Sequence, residues 1–136
     1  PPRLQHSPNC LQSIDVAMFT LTHDALVNAV LEAHQRGCIV RVITDNRQAH
    51  CKGADAQRLA AAGVAVRTDS SFYAMHHKFA IVDGRVVING SFNWTVQATN
   101  GNQEDVIIYR RASGLAGEFT AEFERMWRAF RPLSTP

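Results

Sequence analysis

The residues with the clearest chemical potential lie between Met75 and Trp94. His76 and Lys78 are two positions apart, and side chains at that spacing on a strand point to the same face. An imidazole can act as a nucleophile or a general acid near neutral pH, and an ammonium can stabilise negative oxygens beside it. The pair therefore indicates a site for phosphoryl transfer.

A tight turn is expected to bring further polar groups back to this pair. Asp83-Gly84 lies between two β-type apolar runs, which is a strong signal for a hairpin. The second strand would return Gly90, Ser91 and Asn93 toward the histidine and the lysine. Backbone and amide donors at that point could approach a phosphate.

Two polar residues within the same stretch are expected to be structural. Asp83 lies at an odd offset of seven from His76, and an odd offset along a strand points to the opposite face. Asp83 also begins the turn, so we assign it to the turn or to a supporting position. His77 alternates with His76 and is expected to be noncatalytic.

The remaining chain supplies elements that would position these groups. An apolar run at 14–20, an amphipathic stretch at 23–36 capped by Thr22, and a β-branched run at 38–44 predict a strand, a helix and a parallel strand. We then expect a helix at 54–62, a strand at 64–67, the hairpin, a loop at 95–103 and a strand at 104–109. A final helix follows, which Ser113 caps and Pro132 ends. These elements predict one α/β domain over residues 1–136, with a mixed, largely parallel sheet flanked by helices and an irregular segment at 1–13.

The final helix carries an apolar stripe that we interpret as core packing, with an interaction face as the alternative. Its members are Leu115, Phe119, Phe123, Met126, Trp127 and Phe130.

Composition places weak limits on the partner. The chain has 136 residues and a net charge of +2, which fits one domain and favours a polyanionic partner only slightly. A polar loop follows the second strand, where open α/β sheets place their ligands. Arg47, His50 and Lys52 in that loop could line a groove for an anionic chain, or the loop could simply be solvated.

The cysteines indicate an intracellular protein with reduced thiols. Cys10, Cys38 and Cys51 are widely spaced and form no CxxC pair. Histidines near them leave a scattered zinc site as an alternative. No apolar run approaches the ~20 residues of a membrane span, and the start at Pro1 carries no signal-peptide pattern, so an anchoring or targeting segment ahead of this chain is an expectation.

The order His76-x-Lys78-x4-Asp83, followed by Gly90-Ser91-x-Asn93, resembles the HKD motif of the phospholipase D superfamily. The chain is similar to the compact branch with one motif per chain, which includes bacterial endonucleases and the mitochondrial phospholipase D or Zucchini group. Segments 91–95 and 123–127 resemble the latter group, and the likeness covers about residues 14–130. It implies phosphodiester cleavage through a phosphohistidine, without a metal ion or other cofactor.

The resemblance also implies a homodimer, because that chemistry needs two motifs at one site. His76 of one subunit would attack phosphorus, and the same residue of the second subunit would protonate the leaving oxygen. Lys78 and Asn93 would hold the phosphoryl oxygens. Glu104 lies where the family has a carboxylate that orients the histidine.

Three functions remain open at this point. The leading hypothesis is a homodimeric endonuclease that cleaves single-stranded RNA or DNA. The alternative is a phospholipase that cleaves cardiolipin or a related lipid, for which an apolar rim would be the signature; the residues that could form it are Phe72, Tyr73, Phe92 and Trp94. A binding module without catalysis is a third hypothesis, against which the intact motif argues.

The resemblance to the mitochondrial group implies an outer-membrane location facing the cytosol, through an anchor outside this chain. The bacterial relatives are not anchored in that way.

Overall fold

The computed structural model describes residues 11–133. The described strands are β1 (Ser13–Met18), β2 (Ile39–Thr44), β3 (Ala65–Thr68), β4 (Lys78–Val82), β5 (Val86–Gly90), β6 (Val106–Tyr109) and β7 (Arg131–Pro132). The helices are α1 (Asp24–Gln35), α2 (Ala56–Ala61), α3 (Val96–Asn100) and α4 (Ser113–Ala129), with a 3-10 turn at Gln48–His50.

The described strands form one mixed sheet in the order β6-β5-β4-β1-β2-β3-β7. The predicted α/β fold with a mixed sheet and flanking helices is confirmed, including the parallel β1-α1-β2 unit. The expectation of a largely parallel sheet is wrong, because four of the six described pairings are antiparallel. The hairpin joins β1 along an antiparallel edge, and this pairing places β1 at the centre of the sheet.

Strand alternation divides the core into two layers. Ile14, Val16 and Met18 of β1 pack with apolar residues of α1 and α2 on one face. Ala17 points to the other face, where it joins apolar residues of β4, β5 and α4. The stripe of α4 is core packing as predicted, with Phe123 and Met126 fully covered.

The α4 face also contains an ionic contact between sheet and helix. Arg41 lies opposite Asp15 in the β1-β2 register, and its guanidinium makes two 2.8 Å hydrogen bonds to that carboxylate. It donates a third, of 2.6 Å, to Glu124 of α4, and it stacks over the rings of Phe123 and Trp127. The two carboxylates raise the pKa of Arg41, and Arg41 lowers the pKa of Glu124, so α4 is fixed to the sheet by charge as well as by apolar packing.

Predicted residues at three helix ends differ from those in the structure, and α2 is shorter than the predicted 54–62. His23, not Thr22, occupies the N-cap of α1, without a side-chain cap bond. Ser113 is the first residue of α4 and Ala112 is its N-cap. The helix ends at Ala129, ahead of Pro132, which pairs with β3.

The predicted loop at 95–103 contains helix α3. Thr95 caps this helix by accepting a hydrogen bond from the Ala98 amide. A helix of five residues is too short to show an apolar period, so only the cap could have indicated it.

Within residues 11–133, no helix has the length and the apolar character that crossing a bilayer requires.

Candidate active site

The β4-β5 hairpin forms as the Asp83-Gly84 pair predicts. Asp83 and Gly84 both have positive φ, of 53° and 65°, and the Arg85 amide donates to the Val82 carbonyl at 3.1 Å. These are the features of a type I′ turn. His76 lies just before β4, which begins at Lys78.

Asp83 lies at the end of β4 away from Lys78. Its carboxylate accepts hydrogen bonds from the Gln12 and Ser13 amides at 2.7 and 3.0 Å. β4 contains five residues, and Asp83 follows its last residue, so Asp83 lies five positions and about 16 Å from Lys78. Asp83 therefore fixes the start of β1 and does not reach a phosphate at the histidine.

His76 and Lys78 are in direct contact. The ammonium Nζ lies 3.3 Å from His76 Nδ1 and donates to the His76 carbonyl at 2.9 Å. The Phe19 ring packs against the imidazole with centroids 4.7 Å apart, and the ammonium lies 5.3 Å from the centre of the same ring. Phe19 thus supports both groups, and its position directly after β1 is the sequence signal that could have identified it.

These two residues open onto a cavity of about 540 Å³. Its wall is built from residues of β4, β5, α4 and the segment before β6; they are His76, His77, Lys78, Phe79, Asn89, Gly90, Ser91, Glu104 and Phe119. The structure therefore brings together His76, Lys78, Gly90, Ser91 and Glu104 around one space, as the sequence predicts.

Burial lowers the pKa of Lys78, and the nearby charge of Glu104 opposes that effect. Within the described residues, no carboxylate lies within ion-pair distance of the ammonium. The cavity thus contains a partly desolvated cation whose charge is not neutralised by contact, which suits the binding of an anionic oxygen.

Glu104 is held by neighbours other than the histidine. Ser91 Oγ donates to its carboxylate at 2.5 Å, and the Asn102 side-chain amide donates at 3.1 Å. No contact joins Glu104 to His76 within the described part of this chain. The predicted role of Glu104 in orienting a histidine remains a prediction.

Asn93 lies beside the loop that follows β1. Its side-chain oxygen accepts a hydrogen bond from the Thr20 amide at 3.2 Å, and the adjoining Trp94 exchanges backbone hydrogen bonds with Thr20 and Thr22. Asn93 does not line the 540 Å³ cavity. Its amide nitrogen makes no hydrogen bond to residues 11–133, so it is available to a ligand.

Gly90 is required by a close approach between β5 and the segment before β6. A Cβ at this position would lie 2.1 Å from the Asp105 carbonyl oxygen. The Ser91 amide donates to that same carbonyl at 3.1 Å. Only glycine lets the backbone form this part of the cavity wall.

The loop predicted to bind substrate does not join this cavity. Arg47 lines a separate space of about 150 Å³ with Phe19, Phe72 and Tyr73. His50 and Lys52 are exposed, and neither lines the cavity beside His76.

Asp45 connects that loop to the histidine segment. It is buried, and its carboxylate accepts hydrogen bonds from the Arg47, Gln48 and Met75 amides at 3.0 to 3.1 Å. The backbone just before His76 is therefore fixed from the end of β2. Sequence reasoning missed this residue, although its place at the carboxyl end of a parallel strand was a usable signal.

A second cavity, of about 550 Å³, lies on the other side of the two histidines. Here His77 contacts Glu122 of α4 at 3.2 Å. Arg125 holds the same carboxylate through contacts of 2.8 and 2.7 Å, and these bonds lower the pKa of Glu122 to about 2. The sequence did not predict this trio, because Glu122 and Arg125 lie on the polar side of a helix that was interpreted only through its apolar stripe.

Among residues 11–133, no three His, Cys, Asp or Glu side chains cluster closely enough to hold a metal ion. Cys10 and His6, which the scattered zinc hypothesis included, lie outside the described residues.

A histidine and a lysine at the start of a hairpin, on a mixed sheet between helices, define a phospholipase D-like domain. Residues 4–127 match the family described as cardiolipin synthase, PLD-like domain. The chain belongs to this family and hence to the phospholipase D superfamily, which confirms the resemblance seen in the motif.

Curated relatives share the sequence over most of this chain. It is 46% identical over 123 residues to a mitochondrial cardiolipin hydrolase of Xenopus tropicalis, a match that covers 90% of this chain and 58% of the relative. It is 42% identical over 128 residues to the protein of the same name from Chlamydomonas reinhardtii, covering 94% and 57%. The chain thus spans little more than half the length of these relatives.

A solved structure shares the fold. The phospholipase D family member Nuc from Salmonella typhimurium superposes with a TM-score of 0.87 at 29% identity, covering 93% of this chain and 85% of Nuc.

Proposed function

We propose that this chain is the catalytic domain of a phospholipid phosphodiesterase that hydrolyses cardiolipin or a related anionic phospholipid. The observation that carries the proposal is the contact between His76 and Lys78 at the edge of an open cavity. An imidazole nucleophile beside an unneutralised ammonium matches the needs of phosphodiester cleavage. The names of the curated relatives support the lipid substrate.

The endonuclease hypothesis, which led on sequence grounds, now has less support than the phospholipase alternative. It relied on a basic loop at Arg47, His50 and Lys52, and that loop does not line the cavity beside His76. Cleavage of single-stranded nucleic acid is kept as a competing outcome of the experiment below.

The proposed reaction has two steps. An imidazole nitrogen of His76 bonds to phosphorus while the bond from phosphorus to the leaving alcohol oxygen breaks, and that oxygen takes a proton from a second histidine. Water then attacks phosphorus, gives a proton back to the second histidine, and releases His76 from the phosphorus. Lys78 would stabilise the negative oxygens, and Asn93, whose amide nitrogen makes no hydrogen bond within residues 11–133, would do so from beside the 540 Å³ cavity, whose wall it does not form.

The second histidine is proposed to be His76 of a second copy of this chain. Strand β6, at one edge of the sheet, leaves Val106, Ile107 and Ile108 about half exposed. An apolar edge strand beside Glu104 is a suitable contact surface for that copy. In such a dimer, Glu104 of either subunit could orient the attacking histidine.

A substitution on β6 tests the proposed dimer interface. Ile107 pairs with Asn89, which lines the 540 Å³ cavity, and neighbours across a strand pair point to the same face. Ile107→Glu should give a monomer by light scattering and lose activity. Ile39→Glu, which places the same charge at an exposed position on β2 away from β6, is the matched control, and an active monomer would contradict the shared site.

The names of the relatives also support a mitochondrial location. An outer-membrane position facing the cytosol, through an anchor outside this chain, stays part of the proposal.

The substrate is tested by offering cardiolipin vesicles, single-stranded RNA and single-stranded DNA in separate reactions with EDTA. We expect cardiolipin cleavage, release of phosphatidic acid, and no product from the His76→Asn variant. Cleavage of nucleic acid alone would overturn the lipid substrate. Loss of all cleavage in EDTA would overturn the metal-independent mechanism.

A further inference from the structure

Two aromatic side chains project from the segment that leads into the active site. Phe72 is 90% exposed and Tyr73 is 87% exposed, whereas the next most exposed large apolar residue in the described chain, Ile39, is 69% exposed. Neither ring contributes to the two core layers. Such an exposed apolar pair marks an interaction surface.

The loop that presents these rings is held in place. Ser71 Oγ accepts a hydrogen bond from the Tyr73 amide at 3.2 Å and donates one to the Tyr73 carbonyl at 3.0 Å. The Asn46 amide donates to buried Asp69 at 2.9 Å, and the Met75 amide donates to Asp45. Because the loop is anchored on both sides of the rings, little ordering cost opposes their use in binding.

An apolar surface leads from these rings to the nucleophile. The 550 Å³ cavity extends from Tyr73 to His76. Its apolar wall consists of Tyr73, Ala74, Met75, Met126 and Phe130. A substrate with an apolar part and a phosphate could therefore lie along this wall with its phosphate at the histidine.

Charge at the loop distinguishes a bilayer from a nucleic acid. Arg47 lines the small cavity with Phe72 and Tyr73 and makes no ion pair within residues 11–133. The guanidinium of Arg125 is held by Glu122, whose pKa is lowered to about 2, so that carboxylate stays charged. Among the described residues that line this loop, one unpaired cation beside two apolar rings suits a layer of anionic headgroups better than an extended polyanion, which needs a row of cations.

We propose that Phe72 and Tyr73 enter the interfacial region of a bilayer that contains anionic phospholipid, with Arg47 contacting headgroup phosphates. The cavity beside His76 then opens at the level of the headgroups. Aromatic rings favour this region because they combine an apolar body with polar or polarisable edges. This inference rests on the proposed phospholipid hydrolase function and names the surface through which it would reach its substrate.

The test compares binding with catalysis on a soluble ester. In the inactive His76→Asn background, the double substitution Phe72→Ser and Tyr73→Ser should lower co-sedimentation with vesicles of cardiolipin and phosphatidylcholine at least about tenfold. With His76 intact, the single substitution Phe72→Ser, which alters no residue lining the two cavities beside His76, should leave hydrolysis of bis(p-nitrophenyl) phosphate within about twofold. Ile39→Ser is the matched control, since Ile39 is exposed at the opposite end of β2 and should retain vesicle binding.

A spectroscopic variant tests insertion directly. Phe72→Trp should shift its emission to the blue on cardiolipin vesicles and be quenched by brominated lipid, while phosphatidylcholine vesicles should give a weaker response. Arg47→Gln should reduce vesicle binding and remove most of its dependence on salt.

Several results would overturn the inference. They are unchanged sedimentation of the double variant, an equal loss of vesicle binding in Ile39→Ser, loss of single-stranded RNA binding in place of vesicle binding, or a loss of soluble-ester hydrolysis in Phe72→Ser as large as its loss of vesicle binding. If vesicle binding depends on the two rings but the chain cleaves no lipid, the proposed function fails while this docking surface stands.

Discussion

The two cavities that meet at His76 and His77 have similar volumes, about 540 and 550 Å³. They differ in whether the charged side chains that line them are paired with an opposite charge. In the first cavity, the Lys78 ammonium contacts His76 and, among residues 11–133, has no carboxylate in ion-pair contact. In the second, Glu122 is already bonded to His77 and Arg125.

The difference assigns different parts of a substrate to the two spaces. A desolvated cation without a bonded anion attracts a phosphate oxygen, because binding then supplies the missing counter-charge. A carboxylate already held by a histidine and an arginine gains little from another charge. We therefore expect the phosphate beside Lys78 and an uncharged part of the substrate beside His77.

The largest expected effect separates the two histidines. His76→Asn should reduce turnover of cardiolipin or of a soluble diester by about 10⁴-fold or more, because it removes the proposed nucleophile. His77→Asn is the matched variant and should cost less than about tenfold, since His77 bonds to Glu122 and not to Lys78. The comparison is measured as kcat/KM for both variants, and equal losses would contradict the division between the cavities.

Lys78→Met should reduce kcat by about 10²- to 10³-fold, because it removes charge stabilisation while keeping the side-chain length. Arg85→Met, which removes an exposed charge at the β4-β5 turn, is the control and should retain activity.

The lowered pKa of Lys78 also predicts that activity falls with rising pH at values below the usual 10.5 of lysine, as the ammonium loses its proton. A pH profile on a soluble diester measures this, and an alkaline limb that persists in Lys78→Arg would assign it to another group.

Gly90→Ala tests how the wall of the first cavity is formed. Its Cβ would overlap the Asp105 carbonyl at 2.1 Å, and we expect a loss of about 2–4 kcal/mol in the free energy of unfolding. Gly117→Ala, in α4 with nothing within 4 Å of its Cβ, should instead stabilise the protein by about 0.5–1 kcal/mol. Urea denaturation of both variants measures the difference, and two equal midpoints would refute the close approach.

Glu122→Gln should have the smallest effect, below about 1 kcal/mol of stability, because the trio is partly exposed to solvent. The carboxylate has its pKa lowered from 4.5 to about 2, so its contribution is fully present above pH 4.5 and is lost as the pH falls toward 2. The stability gap between wild type and variant should close over that window. A gap that widens in acid would reverse the assigned sign.

The sequence predicted those features that depend on neighbours along the chain. The Asp83-Gly84 turn, the β1-α1-β2 unit and the stripe of α4 each follow from local residue types and spacing. The antiparallel pairing of β1 with β4 could not be predicted in this way, since Ile14 and Val82 become partners only when the whole sheet forms. The short helix α3 was missed because it has a cap but no apolar period.

The same limit applies to the site. His76, Lys78 and Ser91 share a hairpin, so their meeting in one cavity was predictable from strand alternation and a turn. Glu122 reaches His77 from α4, far away in sequence, and no spacing rule joins the two residues. Phe19 carried only the general signal of a position directly after β1, which does not show that its ring would contact His76. The local motif could be predicted from the sequence, whereas the contacts made by groups from distant elements could not.

The carboxylate of Asp45 has a consequence for motion. It accepts hydrogen bonds from the Gln48 and Met75 amides, so one buried group closes two loops that are distant along the chain. Opening either loop exposes this carboxylate and releases the other loop, which makes them one cooperative unit of local unfolding. The Gln48 and Met75 amides should therefore show matched protection factors in hydrogen exchange, and the backbone before His76 would share its fluctuations with the end of β2.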